Sequence, residues 1–325
     1  MMQQILITLG AGVASAVFFF IPVKGSMLAM FVGIFAPLPL MIVTTGYGLR
    51  AGVIASAVGV ALIALVLHPY VAGAYLVSVA GPALALVAVA HMASPANADN
   101  SFPPYPLASL LMWIVGLTTL IDWIGIAFVG WSYESFDAAL ADLSARFAPL
   151  VAAVMERSGA FPAGASALDL ASMIVMAMAP VMAVWGVLGL ALNLWLAGRI
   201  VRISGQLPRP WPDIPLSLGL PQWSVLALAL ALCVALLPGV TRVFAATLAA
   251  ALGGALALQG LAIVHYLTRG LGARTGLLFA LYAVTLLLFP WPLIAAAGLG
   301  LSDFALALRA RKSRLPTSTR KPEGD

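Results

Sequence analysis

Apolar stretches of about twenty residues recur along this chain from its first residues almost to its last, each on the scale needed to cross bilayer hydrocarbon. Ten can be marked, at approximately 4–22, 26–47, 51–68, 70–91, 107–131, 168–198, 222–240, 243–268, 274–289 and 291–308. Lipid offers no partner to backbone N–H and C=O groups, so such segments span as helices. The expected fold is all-α: a polytopic membrane helical bundle of about ten transmembrane segments. Charged residues make up 8% of the chain and hydrophobic ones 63%, against roughly 25% charged in a soluble domain. A water-soluble fold of this length could not cover its surface with so little polarity. The lipid bilayer is therefore the first partner, and no nucleic-acid partner is expected.

The first segment lacks a basic leader, and MLAMFVGIF follows it where a cleavage region should turn polar, so it reads as a retained helix. The last two segments are short and meet at Phe289-Pro290-Trp291-Pro292. Proline cannot continue the helix ladder, which points to a tight hairpin, with one kinked crossing as the alternative. Basic residues set the orientation. The tail 309–325 carries Arg309, Arg311, Lys312, Arg314, Arg320 and Lys321, and belongs in the cytoplasm. Counting back over ten crossings puts Arg269, Arg274, Arg199, Arg202, Arg209, Arg50 and the N-terminus inside as well. Lys24 and Arg242 then fall outside, against the rule.

Segment 132–167 also falls outside. Its Phe136, Leu140, Leu143, Phe147, Leu150 and Val154 recur at helical spacing, so one external amphipathic helix is expected, either a lid or an interfacial connector. The chain divides into a six-segment front bundle (1–203), a Pro-rich cytoplasmic connection (204–221), a four-segment rear unit (222–308) and the basic tail. Thirteen arginines against three lysines, with abundant alanine, fit a GC-rich bacterial genome and hence the bacterial inner membrane.

Signatures of soluble enzymes are missing: there is no Gly-rich phosphate loop and no nucleophile elbow. His68, His91 and His265 lie in separate segments without zinc-helix spacing, and Cys233 is the single cysteine. No enzyme activity, cofactor or metal is expected. Asp122 stands out, as one carboxylate inside LTTLIDWIGIAFVGW. An aspartate near a helix centre costs about 2.5–3.5 kcal/mol on insertion, while each Leu, Ile, Phe or Val returns about 0.3–0.6. The twelve such residues in 107–131 return about 5 kcal/mol together, so the segment inserts despite the charge. Thr118, Thr119 and Gly125 sit at helical spacing from Asp122 and should share its face. An intramembrane acid turns inward, as a ligand or proton site or as a structural acid bonded to another helix.

Two further features could line the same cavity. Asn193 shares a stripe with Ala179, Ala183, Gly186 and Ala197 and so faces a close neighbour helix, as interhelical glue or as a ligand contact. In APLPL, Pro37 and Pro39 interrupt the second segment and should release the carbonyls of Gly33 and Phe35. Broken helices at mid-membrane are where secondary transporters often bind solutes. The pairs Gly12/Ala16 and Gly10/Ala14, and the run Ala245, Ala249, Gly253, Ala257, mark close helix contacts, internal or with a partner. Arg209 and Trp211 in the Pro-rich connection could dock a cytoplasmic partner or simply bridge helices.

FAPLPLMIVTTGYGLRAG, LAGRIVRISGQLPRPWPD, GLAIVHYLTRG and LSDFALALRARK resemble stretches of the YybS-like integral membrane proteins of bacteria. Residues 1–203 also resemble the six-helix substrate-binding S component of energy-coupling-factor transporters. In those proteins a small-xxx-small face on the first helix meets the membrane coupling subunit, which the resemblance carries onto Gly12 and Ala16. The four rear segments have no counterpart in ordinary S components. The leading expectation is a membrane protein that binds or transports a small solute through an S-component-like bundle. The alternative is a non-transporting scaffold that recruits partners through the Pro-rich connection and the basic tail.

Overall fold

Helices here are dictated by composition, and their lengths by proline, glycine and bilayer thickness. The computed structural model describes residues 2–24, 27–92, 104–131, 133–158, 164, 166–207 and 209–314, with side chains for all of these except 23–24, 27–28, 30 and 313–314. Ser318, Arg320 and Lys321 of the basic tail lie outside them. The described residues are all-helical, with no strand. The front part comprises α1 (Met2–Phe20), α2 (Met27–Gly33), α3 (Pro37–Tyr47), α4 (Leu49–Val66), α5 (Pro69–Tyr75), α6 (Gly81–Met92), α7 (Leu107–Trp131), α8 (Phe136–Ser158) and α9 (Ala167–Ile203). A short α10 (Ile214–Ser217) precedes α11 (Trp223–Val234), α12 (Val240–Leu267), α13 (Arg274–Leu287), α14 (Trp291–Leu306) and α15 (Leu308–Arg314).

Among the described residues, seven helices are long and apolar enough to cross a membrane: Met2–Phe20, Leu49–Val66, Pro69–Met92, Leu107–Trp131, Phe136–Ser158, Ala167–Ile203 and Val240–Leu267. The segment expected at 26–47 is two helices, because Pro37 and Pro39 interrupt it at Ile34–Ala36. The expected hairpin at Phe289–Pro292 is present between α13 and α14. With 14 and 16 residues, those helices are about 21 and 24 Å long at 1.5 Å per residue, short of the roughly 30 Å hydrocarbon core.

The amphipathic helix expected in 132–167 is α8, which packs chiefly against α9. Phe136, Leu140, Leu143 and Phe147 are half-buried there, while Leu150 and Val154 are exposed. At its start Asp142 accepts hydrogen bonds from Tyr133 and Arg146. At 37 residues, α9 is about 55 Å long, well beyond the roughly 30 Å hydrocarbon core.

Small residues set the closest helix approaches. A Cβ on Gly12 would stand 2.3 Å from the Ala55 carbonyl oxygen, so α1 lies backbone to backbone on α4. A Cβ on Gly260 would stand 1.8 Å from the Ala296 oxygen, and one on Gly300 2.2 Å from the Leu256 oxygen. These glycines clamp α12 to α14. The other faces of α12 pack on α7, α9 and α11, so the rear helices are built onto the front bundle.

The Pro-rich connection folds back on the bundle. The Trp211 ring fills a notch over Gly198, where a Cβ would lie 2.1 Å from it, and it packs on Tyr105 at 5.5 Å. Arg209 is 5% exposed and donates to the His91 carbonyl at 3.0 Å. The start of the tail is likewise engaged. Arg309 donates to the carbonyls of Leu216 and Leu218 and to Asp303, and Lys312 donates to those of Tyr266, Leu267 and Arg269. These last are carbonyls at the C-terminal end of α12, where a cation is favoured.

Candidate functional site

Two interruptions in helical backbone build one cavity. The first is the break between α2 and α3. Losing the N–H groups of Pro37 and Pro39 should free the carbonyls of Gly33 and Phe35, yet the turn reclaims both: Ala36 N donates to Gly33 O and Leu38 N to Phe35 O, each at 3.0 Å. The carbonyls reached from other helices are their neighbours. Asn193 Nδ2 donates to Ile34 O at 2.8 Å, and Ser15 Oγ donates to Ala36 O at 2.6 Å while also bonding the Tyr75 hydroxyl at 2.8 Å. The break is thus pinned from α9 and from α1.

The second interruption is a single π-helical turn at Leu76–Ala80, between α5 and α6. Pro82 has no N–H to give the Ser78 carbonyl four residues back, and a widened turn absorbs the mismatch. It carries Ser78 and Val79 to the cavity wall. Opposite, α7 approaches α9 at a glycine: a Cβ on Gly186 would stand 2.5 Å from Thr118 Cγ2. That approach brings the Thr118–Asp122 face of α7 onto α9.

The resulting cavity has a volume of about 390 Å³. Asp122, Thr118, Asn193, Ser78, Gly33 and Trp185 are among its lining residues, with Ile121, Met182 and Gly189. Trp185 is held edge-on by Phe31 at 6.3 Å and lies against Phe289 at 5.7 Å. Asn193 is fully buried and spends its amide on Ile34 O and on Gly189 O, the latter at 2.7 Å. Three buried oxygens of the lining, Asp122 Oδ2, Thr118 Oγ1 and Asn193 Oδ1, have no hydrogen-bond partner among the described residues. Buried polar atoms are nearly always satisfied, so three orphans at one cavity call for a ligand or ordered water. The volume is in the range of small-molecule pockets.

A family model matches residues 13–304, a stretch that includes every residue lining this cavity. It is the family of predicted membrane proteins DUF2232. The chain belongs to that family. No curated protein and no solved structure matches the chain. Membership of DUF2232 accords with the run of long apolar helices and adds that they are those of an integral membrane protein.

Of the six ligand-binding candidates in the DUF2232 chain's sequence, four, Asp122, Thr118, Asn193 and Gly33, come together at the cavity, with Pro37 and Gly186 beside them. Thr119 is buried on another side of α7, and Phe35 and Gly125 are not part of the lining. Gly12 and Ala16 face inward, Gly12 against α4 and Ala16 in the core. The Trp211 ring and the Arg209 guanidinium also contact this chain itself. Sequence reasoning passed over Ser78 and Trp185. The signal for Ser78 was Pro82, four residues on; Trp185 carried none beyond being a tryptophan inside a long apolar helix.

Proposed function

We propose that this chain is a multi-pass protein of the bacterial inner membrane that binds a small polar solute in the Asp122 cavity and acts in its uptake, a binding role rather than a catalytic one. The observation that carries the reading is the convergence of three unpartnered oxygens, from Asp122, Thr118 and Asn193, on one cavity of about 390 Å³. Structural polar groups in a membrane bundle are normally bonded to each other or to backbone. Here the backbone break is already pinned by the Asn193 amide, and the oxygens remain over. The resemblance of residues 1–203 to an S component adds a route: solute bound by the front bundle, and a coupling subunit supplying energy. The engaged side chains of the Pro-rich connection lend the scaffold alternative less.

Both termini in the cytoplasm and α8 outside give the orientation we propose, on the clustering of arginine in alternate loops. With Cys233 replaced, a thiol at Glu134→Cys should label in intact cells and one at Arg311→Cys only after permeabilisation; the opposite pattern rejects it. Solute binding is tested by native mass spectrometry of the protein as purified. Wild type should carry a small-molecule adduct, and Asp122→Asn should lose it while melting normally. An adduct equally retained by the variant would place the solute elsewhere.

A further inference from the structure

We propose that the solute of the Asp122 cavity is a small organic cation with N–H donors, a protonated amine or a guanidinium compound. This rests on reading the cavity as a solute site and names the chemistry that site selects.

The argument is an inventory of what the wall still offers. The two amide hydrogens of Asn193 are committed to the carbonyls of Ile34 and Gly189. Carbonyls on both sides also fix the amide's orientation, since a flip would set oxygen against oxygen. Only Oδ1 is left, and it can only accept. An ionised Asp122 can only accept as well, and Thr118 Oγ1 can do either. Among the described side chains the lining holds one carboxylate and no basic group. The cavity therefore presents acceptors and a negative charge.

Candidate ligand classes can be ranked against that wall. An anion would meet Asp122 at close range in a medium of low dielectric, where like charges repel strongly. A neutral polyol could bond the oxygens and would leave the carboxylate without a counter-charge, an expensive state inside a membrane. Water has the same defect, although about a dozen molecules at ~30 Å³ each would fill the volume. A bare metal ion matches oxygen ligands but occupies a small fraction of 390 Å³. An ammonium group brings three donors and one positive charge to three orphaned oxygens, and bonds between charged partners are the strong ones. Trp185, in the same wall, is the best side chain for holding a cation or its apolar body.

The test uses the full-length protein in lipid nanodiscs and matched triplets that keep a skeleton and change its head group. They are tyramine, tyrosol and 4-hydroxyphenylacetate; tryptamine, tryptophol and indole-3-acetate; putrescine, 1,4-butanediol and succinate. Thermal shift is titrated with each, and native mass spectrometry identifies any molecule that co-purifies. At least one amine should raise the melting midpoint, its alcohol should bind about tenfold more weakly or worse, and its acid should not bind. Asp122→Asn should erase the preference for amine over alcohol, and Gln259→Leu, away from the cavity, should keep it. An alcohol or acid that binds as well as its amine overturns the ligand class and leaves the solute reading standing, as does an amine preference that survives Asp122→Asn. If none of the compounds binds, the co-purified molecule decides: one without a basic nitrogen overturns the class alone. No binding and no co-purified molecule overturn both.

Discussion

Among the described residues two carboxamides are buried, one in the front part and one in the rear. Gln259 of α12 is 2% exposed and bonded at both ends: Oε1 accepts from Leu220 N at 2.8 Å, and Nε2 donates to Gly300 O at 3.1 Å. Asn193 of α9 is as deeply buried and bonded at one end only. The threonines repeat the contrast. Thr247 in the rear returns its hydroxyl to the Val243 carbonyl at 2.7 Å, whereas the Thr118 hydroxyl has no partner among the described residues. The same functional groups close the rear interior and leave the front one with spare capacity. Gln259 joins three pieces of backbone, where the glycines of α12 and α14 let them touch. The polar groups around Asp122 surround space.

The largest expected effect lies in the closed region. Gly260→Ala would put a methyl 1.8 Å from the Ala296 oxygen, which is backbone and cannot swing aside. It should cost about 3 kcal/mol, the upper end for overpacking, read as a lower midpoint in denaturant or heat with solute binding unchanged. Gln259→Leu should follow. It strands the Leu220 N–H in the interior, at about 1–3 kcal/mol, and loses the bond to the Gly300 carbonyl, again without touching binding. If either variant removed binding while leaving stability intact, the division between regions would fail.

Thr118→Val sharpens the contrast from the other side. It keeps shape and deletes a hydroxyl that has no partner among the described residues, so the empty protein should be unchanged or more stable by up to about 1 kcal/mol. Solute affinity should fall. A site held in readiness for a ligand often costs stability in this way. A destabilised variant with normal affinity would show Thr118 to be structural.

The smallest effect concerns a half-exposed ion pair. Arg269 donates twice to Asp213, at 2.6 and 2.5 Å, and holds the Asp213 carboxyl below the usual carboxylate range. Both side chains are over a third exposed, so the pair should be worth less than about 1 kcal/mol after screening. A carboxyl whose pKa is depressed on folding stabilises fully above its unfolded value near 4, and that contribution fades as pH falls through the folded pKa. Wild type and Asp213→Asn should therefore differ slightly at neutral pH and converge on acidification. A gap that widened in acid would contradict the pairing.

Much of this could be read in the sequence, for identifiable reasons. The helices were legible because lipid permits little else, and the break at Ile34–Ala36 because proline has no N–H. Asp122 was conspicuous as a lone acid in an apolar run, and Thr118 followed from helical spacing. The fate of the freed carbonyls was not legible. Which backbone oxygen stays available depends on how the turn closes, and here neighbouring N–H groups took Gly33 O and Phe35 O. Helical spacing also placed Thr119 and Thr118 together, although they flank Asp122 on opposite sides and only the approach of Gly186 decides which one meets the cavity. Ser78 and Trp185 come from helices remote in sequence, and no local pattern says that α5–α6, α7 and α9 converge.

The most direct measurement is the melting midpoint of Asp122→Asn and Gln259→Leu in nanodiscs, each with and without the molecule that co-purifies with wild type. A cavity kept open for a solute predicts that Asp122→Asn melts at or above wild type when empty and loses the ligand-induced shift, while Gln259→Leu melts lower and keeps it. If Asp122→Asn instead melts well below wild type and retains the full shift, Asp122 is a structural acid and the cavity is not the site.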